Sequence, residues 1–443
     1  MLLKLLFKLY QSKKRLTISR EELEKYQKKK MAKILLHAYD HSTYYRKRFE
    51  ENNISRKDIG LIPIENYPSL TKKELMKNFN EIVCTNVDIN EMRSFDANPD
   101  NNNKLYKDKY HIVHSSGTTE KPGYFIYDEK AWQQMLIATI RASLWDMSMK
   151  EIIKLLSKRP RIVYIAETDG RYGGAMAVSD GIAGVKAKQL FLDIKMPLDE
   201  WIDKISKFQP SIIIGYPSAI KILMESVARG EIKTNLFRII SCGEPLSKNL
   251  RDCFTKTFKC KVINFYGASE SLALGVEVGN KDEMYLFDDM NYIEILEDGI
   301  YITCLYNKIQ PLIRYKISDK VTLHGISKHV PLTTVTNILG RNEDLLWFKD
   351  KNGKKEFLHP LSVEGFCIDG MLDYQFRKIN DQAFEMIIEL SKNEKQESVK
   401  NEMKKLMKKI LNEKKLDYVE FTIRLVEDIL PDEKTGKKKL III

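Results

Sequence analysis

Apolar side chains recur at helical spacing soon after the chain begins: Leu23, Tyr26, Met31, Ile34, Leu35 and Ala38 keep to one side, and Ser19 with Glu22 makes a capping box ahead of them. The pattern predicts a helix over about 20–38. A second box, Thr71 with Glu74, opens a helix carrying Leu75, Met76 and Phe79. Residues 90–105, with their excess of Asn and Asp, read as a surface loop. Beyond them Tyr110-His111-Ile112-Val113 reads as a strand, and Trp132, Met135, Leu136, Thr139 and Ile140 return to helical spacing.

From 160 to 270 short apolar runs alternate with amphipathic ones: strands at 161–166, 211–216, 237–241 and 262–266, helices at 202–208, 220–228 and 250–258. This alternation predicts a mainly parallel sheet covered on both faces, with the loops at the carboxyl ends of its strands as the natural ligand site. Two polar clusters sit at such ends, Ser241-Cys242-Gly243-Glu244-Pro245 and Tyr266-Gly267-Ala268-Ser269-Glu270. After about 285 the texture turns strand-rich, and Glu297-Asp298-Gly299 reads as a hairpin turn between 292–296 and 300–305. Towards the end, a strand at 384–390, a helix at 395–411 and an alternating strand at 419–425 form a separate small unit. Lys400, Lys404, Lys405, Lys408 and Lys409 are the wet side of that helix. The fold class is therefore α/β: a large N-terminal multi-layer domain with a mainly parallel sheet, plus a small C-terminal α+β domain.

A chain of 443 residues has room for two or three domains, and 43% hydrophobic with 30% charged residues marks it as globular. The net charge of +12 comes from lysines spread along the chain, without the arginine and aromatic pattern of a nucleic-acid module, so no nucleic-acid partner is expected. The same charge suits the steering of a phosphorylated substrate. Six cysteines without a CxxC pair read as free thiols in a reducing compartment, and no apolar run is long enough to span a membrane. The opening Met1-Leu2-Leu3-Lys4-Leu5-Leu6-Phe7 is cut by lysine and lacks a cleavage site. It reads as a helix packed on the body rather than an anchor on anionic lipid, and a cytoplasmic protein is expected.

The segment Ser115-Ser116-Gly117-Thr118-Thr119-Glu120-Lys121-Pro122-Gly123 places four hydroxyls and a glycine between the strand and the helix that flank it. Close backbone approach at Gly117, outward amides, hydroxyls and the Lys121 ammonium suit an anion, although a plain polar turn has the same composition. It lacks the glycine spacing and the Lys-Ser/Thr ending of a P-loop.

Taken in order, that loop, Gly243-Glu244-Pro245-Leu246, Tyr266-Gly267-Ala268-Ser269-Glu270, Pro311-Leu312-Ile313-Arg314-Tyr315 to Asp319, Gly340-Arg341 and Thr435-Gly436-Lys437 resemble the adenylate-forming enzyme superfamily. Leu35-Leu36-His37-Ala38, Tyr44-Tyr45-Arg46, Phe49 and Tyr216-Pro217-Ser218 are similar to the branch that contains phenylacetate:CoA ligase and CapK-type capsule proteins. The resemblance implies an ATP-dependent carboxylate ligase that joins an acid to AMP, releases pyrophosphate and passes the acyl group to an acceptor. It implies that Ser115, Ser116, Gly117, Thr118 and Thr119 hold the outer phosphates and that Glu270 binds Mg²⁺. Tyr266 would stack on adenine, Gly243, Glu244 and Pro245 would border the base, and Gly267 and Ser269 would complete that turn. Asp319 would accept from the ribose hydroxyls with Arg341 beside it, and Lys437 would bridge the attacking carboxylate and the α-phosphate. A domain of residues 1–340 would then bind ATP and acid, and a mobile domain of 344–443 would turn about a hinge near Glu343.

Two departures qualify the resemblance. Glu120 stands where relatives have glycine and puts an acid beside the phosphates. After Gly340-Arg341, the stretch from Trp347 to Pro360 replaces a short apolar segment that lines the pantetheine channel in CoA-using relatives. The acceptor is thus left open between a thiol, on CoA or a carrier protein, and an amine or hydroxyl. An oligomer is compatible with the chain, and the alternative function is that of an idle nucleotide-binding homologue serving as a partner or regulator. Acid specificity is expected from 165–245, around Tyr172, Gly173, Gly174, Ala175, Met176 and Ala177 beside Tyr216.

Overall fold

The computed structural model describes residues 2–101, 104–115, 122–167, 173–183, 187–244, 246, 248–279, 283–317, 319–339, 346–350, 352–358, 363, 366, 368, 370–390, 396–430 and 440–442. Among them nine strands form one sheet whose two halves differ in direction. Strands Lys188–Asp193, Arg161–Ala166, Ile212–Gly215, Arg238–Cys242 and Lys261–Ala268 lie side by side and all pair in parallel. From Lys261–Ala268 outward the pairing is antiparallel, through Ser271–Val278, Met284–Leu286, Thr333–Leu339 and Lys320–Ile326. The expectation of a mainly parallel sheet holds for the first half. The second half escaped the reading because a strand such as Ser271–Val278, buried at nearly every position, carries no alternation.

Helices Leu198–Phe208, Pro217–Ala228 and Lys248–Phe258 fall where the alternation predicts them. The helix Arg20–His41 opens on the Ser19 and Glu22 capping box, and Lys72–Lys77 on Thr71 and Glu74. Gly299 closes the expected hairpin in a smaller sheet of Asn291–Leu296, Gly299–Cys304 and Tyr315–Ile317. Residues 90–105 are not a plain loop, because Asp88 caps the amides of Asn90 and Glu91 and starts a helix, Ile89–Ala97, that buries Met92. The segment Leu2–Lys14 is a helix whose Leu9 packs with Leu144, Met147 and Ile152 on the body. Its Lys13 donates to the carbonyls of Leu144 and Trp145, and burial, followed by the nearby Arg141 charge, pulls that ammonium down to about 8. No helix among the described residues is long and apolar enough to cross a membrane.

Beyond residue 345 the chain builds its own core, with Phe348, Phe376, Phe384, Met386, Met403 and Met407 buried together. A sheet ordered Glu420–Val426, Ala383–Leu390, Met371–Asn380, Ile441–Ile442 carries the helix Gln396–Glu413, as an α+β unit should. The departure stretch after residue 346 proves to be a hairpin, Leu346–Lys349 with Lys355–Leu358, whose Phe357 sits edge-on to Trp201 at 5.6 Å and joins the core of the parallel half. Beside it the fully buried Lys414 pairs with Glu356 at 3.1 Å, donates to the carbonyls of Ile194 and Met196, and lies 4.0 Å from the Phe357 ring. Burial pulls the Lys414 ammonium below its ordinary range, with Glu356 opposing. The hairpin is thus the seat of the small unit on the large one.

A second buried pair ties the N-terminal helices to the sheet. Asp289 accepts from Arg141 through both oxygens, at 2.7 and 2.8 Å, and from Arg15 at 2.8 Å, with the Arg141 and Asp289 side chains 0% and 1% exposed. Burial alone would raise the Asp289 carboxyl, but Arg141 and then Arg15 hold it at about 2. A folded value below the ordinary 3.8 contributes stability that is complete above that pH and is lost as pH falls through about 2. Asp289→Asn is expected to cost about 3–5 kcal/mol in urea unfolding at neutral pH, because Arg141 is left buried without its counter-charge. The same variant should lack the loss of stability that the parent shows between pH 3.8 and about 2.

Candidate functional site

The carboxyl ends of the parallel strands gather most of the described residues that the sequence singles out. At the end of Lys261–Ala268 the backbone closes tightly on its neighbour, since a Cβ on Gly267 would lie 2.6 Å from the Leu272 carbonyl oxygen. The following Ser269-Glu270 turn is pinned from across: the Tyr127 hydroxyl donates to both carbonyls, at 3.2 and 3.1 Å, and the Ser269 hydroxyl donates to the His114 carbonyl at 3.4 Å. Tyr127 and His114 belong to an antiparallel pair, Tyr110–His114 with Tyr124–Asp128, and the hydroxyl-rich segment joins these two strands. Contrary to expectation, no helix follows the segment directly. The segment leads from strand to strand, and the helix Glu129–Ser143 begins only after the second strand, capped by Asp128. Tyr124-Phe125-Ile126-Tyr127 is buried on both faces and so gives no period by which a strand could be recognised.

The neck of that segment is closed by Ser115, whose amide donates to the Gly123 carbonyl at 2.9 Å and whose Oγ accepts from the Gly123 amide at 2.8 Å. The Ser115 hydroxyl is therefore engaged in shaping the loop. Ser116, Gly117, Thr118, Thr119, Glu120 and Lys121 lie outside the described residues, as do Pro245, Tyr172, Arg341, Glu343 and Lys437.

Glu270 is half-buried beside this neck and accepts from the Tyr315 hydroxyl at 3.2 Å. Burial pushes its carboxyl up, with the Tyr315 hydrogen bond and the Lys72 charge opposing. A carboxylate so placed gains from a nearby cation, which is the donor chemistry a hard divalent ion requires. No cluster of three or more metal-ligating side chains occurs among the described residues, so Glu270 fits Mg²⁺ only if phosphate oxygens and water complete the shell. Lys72 was missed in the sequence because it reads as one more surface lysine behind a capping box. A Cβ on Gly123 would lie 3.2 Å from its Cε, which places the side chain against the loop neck. Tyr266, also half-buried, donates from its hydroxyl to Asp319 Oδ2 at 2.7 Å, joining residues 53 positions apart in the sequence.

Gly243 has φ +82°, and a Cβ there would lie 2.5 Å from the Tyr216 ring, so the turn requires glycine. The Glu244 carboxylate accepts from the Ser218 amide at 3.0 Å and its hydroxyl at 2.9 Å. It supplies the cap that the helix Pro217–Ala228 lacks on its own residues, and thereby fastens the Gly243 turn against Tyr216. In the expected acyl region, Gly173–Ala183 is a helix; Ala177 is buried in the main core and Met176 packs against it. At the same edge of the sheet Lys195 and the buried Glu167 form an ion pair at 2.5 Å, another feature the sequence reading missed.

No protein-family model matches the chain. It is 26% identical over 340 residues to protein CapK of Staphylococcus aureus, covering 70% of this chain and 66% of CapK, just under two thirds of that relative. It is 25% identical over 374 residues to the phenylacetate-coenzyme A ligase of Aromatoleum evansii, covering 78% of this chain and 75% of the relative. The fold matches 2-hydroxyisobutyryl-CoA ligase solved with 2-HIB-AMP and CoA, with a TM-score of 0.62 at 17% identity over 96% of this chain and 91% of that one. In sequence the chain is thus similar to CapK and to the phenylacetate-CoA ligases, and in fold to an acyl-CoA ligase.

Proposed function

We propose that the chain is an ATP-dependent ligase that adenylates a carboxylic acid and passes the acyl group to a thiol. The observation that carries this reading is convergence: Ser115, Gly243, Tyr266, Glu270 and Asp319, spread over more than 200 positions, meet at one edge of one sheet. CoA is the thiol that the names of the relatives favour, and the separate core beyond residue 345 supports a division into a large domain of 1–340 and a mobile one of 344–443.

In the first half-reaction an acid oxygen attacks the α-phosphorus of ATP, a carboxyl–phosphate bond forms and the bond to pyrophosphate breaks. Glu270 would hold Mg²⁺, which when bound offsets the charge of the departing phosphates. The Ser115 and Gly123 neck fixes the loop from which Ser116, Thr118 and Thr119 hydroxyls and the Gly117 amide donate to the outer phosphates, where negative charge grows as the bond breaks. Lys72 adds a cation beside that neck. Asp319, oriented by the Tyr266 hydroxyl, accepts from the ribose hydroxyls, with Arg341 alongside. The Gly243-Glu244-Pro245 turn, held by Tyr216 and Ser218, borders the base. The Lys437 ammonium lies between acid and α-phosphate and offsets their repulsion as they meet. In the second half-reaction the thiol sulfur attacks the acyl carbon, a thioester forms and AMP leaves. Withdrawal of Lys437 with the small unit admits the thiol.

Lys437→Ala is expected to slow adenylation on the order of a thousandfold, roughly 4 kcal/mol of barrier, with ATP binding kept. Pyrophosphate release across a panel of carboxylic acids, with hydroxylamine trapping the activated acyl group, measures it, and an unchanged rate in the variant refutes the role given to this lysine. Lys72→Met should instead weaken Mg-ATP binding about tenfold, roughly 1.4 kcal/mol, as read by calorimetry. An idle nucleotide-binding homologue would bind Mg-ATP yet release no pyrophosphate with any acid.

A further inference from the structure

A concavity of about 1390 Å³ opens at the opposite edge of the same sheet, where the parallel strands begin. Its lining includes nine lysine and arginine side chains against only Asp146 and Glu151. The two acids are already committed. Asp146 is held by Arg238 at 2.7 Å and by Lys261 at 2.5 Å, and Glu151 closes the capping box on Ser148. Lys158, Arg159 and Lys259 stand at the carboxyl ends of two helices, Met149–Ser157 and Lys248–Phe258, where the helix dipole accounts for a cation. Arg161 and Lys188 do not sit at such ends, since each begins a strand. None of these five exposed side chains enters an ion pair with another described residue.

Deeper in, Arg238 and Arg251 are each 1% exposed. Arg238 donates to the Ser143 carbonyl and Arg251 to the Gly279 carbonyl, and Arg251 also pairs with Glu277. The Nε of each guanidinium has no hydrogen-bond partner. A buried donor without a partner is costly, and so is a ring of like charges around one hollow; a bound anion relieves both. Between the charges the wall is apolar, with Met147, Leu155, Val262 and the exposed Phe237 ring. A concavity confined to one end of the strands, charged at its rim and apolar between, suits a compact ligand rather than an extended strand.

We propose that this cavity is a second anion site, separate from the nucleotide edge, that takes a small molecule bearing a chain of phosphates. The lysines and arginines of the rim meet the phosphates, and Phe237 offers a face for any ring attached to them. Lysines and arginines from four parts of the chain converge there, so the site exists only in the folded large domain. Inorganic tripolyphosphate and a nucleoside triphosphate share the chemistry that the rim recognises.

The test uses the full chain carrying Asp319→Ala, so that binding at the candidate nucleotide edge is weakened, with and without Lys158→Glu, Arg159→Glu and Lys259→Glu together. These three side chains are exposed, and unchanged melting without ligand checks the fold. Calorimetry with tripolyphosphate should give a dissociation constant at least tenfold weaker in the charge-reversed protein, and an intermediate one when the three are changed to Gln. Tighter binding of the nucleoside triphosphate than of tripolyphosphate by the Asp319→Ala protein supports a nucleotide as the source, and equal binding supports the phosphate chain alone. Equal affinity for tripolyphosphate with and without the reversed charges overturns the proposal. So does a protein that holds a 20-mer oligonucleotide which tripolyphosphate cannot displace, because the cations would then serve a nucleic acid.

Discussion

The strand Lys261–Ala268 has a parallel neighbour on one side, Arg238–Cys242, and an antiparallel one on the other, Ser271–Val278. That change of direction is the constraint from which the candidate site follows. A parallel neighbour must be reached by a crossover over the face of the sheet, whereas an antiparallel one follows after a tight turn. The chain therefore turns back at Ser269-Glu270, at the carboxyl edge and beside the loop that follows Arg238–Cys242. Gly267 permits the close turn, and Tyr127 and Ser269 fasten it to the hairpin of Tyr110–His114 and Tyr124–Asp128. The acid of Glu270, the Tyr266 and Asp319 pair and the Gly243 turn are consequences of where that one strand ends.

Two buried ion pairs do different work in the molecule. Asp289 has two guanidinium partners and is held ionised against the pull of burial, so its pair secures the first helices to the sheet. Lys414 has one carboxylate partner, two carbonyls and an aromatic face, and burial still pulls its ammonium down. A pair of the first kind holds the body together. The second lies on the seam between the large and small units, where the ion pair specifies the seat and Trp201 with Phe357 supplies the apolar contact.

Four strands of the parallel half were legible because each was short, apolar and separated from the next by a helix whose period differed from its own; the edge strand Lys188–Asp193, exposed at its first two positions, was not. Ser19 with Glu22 and Thr71 with Glu74 announced helix starts through local hydrogen bonds, which need no tertiary context. Tyr124–Asp128 and Ser271–Val278 were illegible for the opposite reason: buried on both faces, they show neither a period of two nor one of 3.6. In the site, residues with motif neighbours such as Gly243, Tyr266, Glu270 and Asp319 could be named in advance. Lys72 could not, because its relation to Gly123 arises only when chain segments about fifty positions apart are packed together. Glu244 was named for the base edge, yet its carboxylate is spent on the helix start at Ser218, a contact that only three dimensions disclose.

Lys414 sheds its hydration to enter the seam and would regain it on leaving, as would Glu356. Because the gain in attraction and the loss of water nearly cancel for such a pair, the charges add selectivity of fit with little net grip. The apolar part of the contact comes from Trp201, Trp347 and Phe357, and the Leu198 amide donates to Glu356 at 2.8 Å. A seam made this way is specific in where it closes, and the exposed pairs of Lys354 and Lys415 with Asp199 at its rim add an attraction that salt screens.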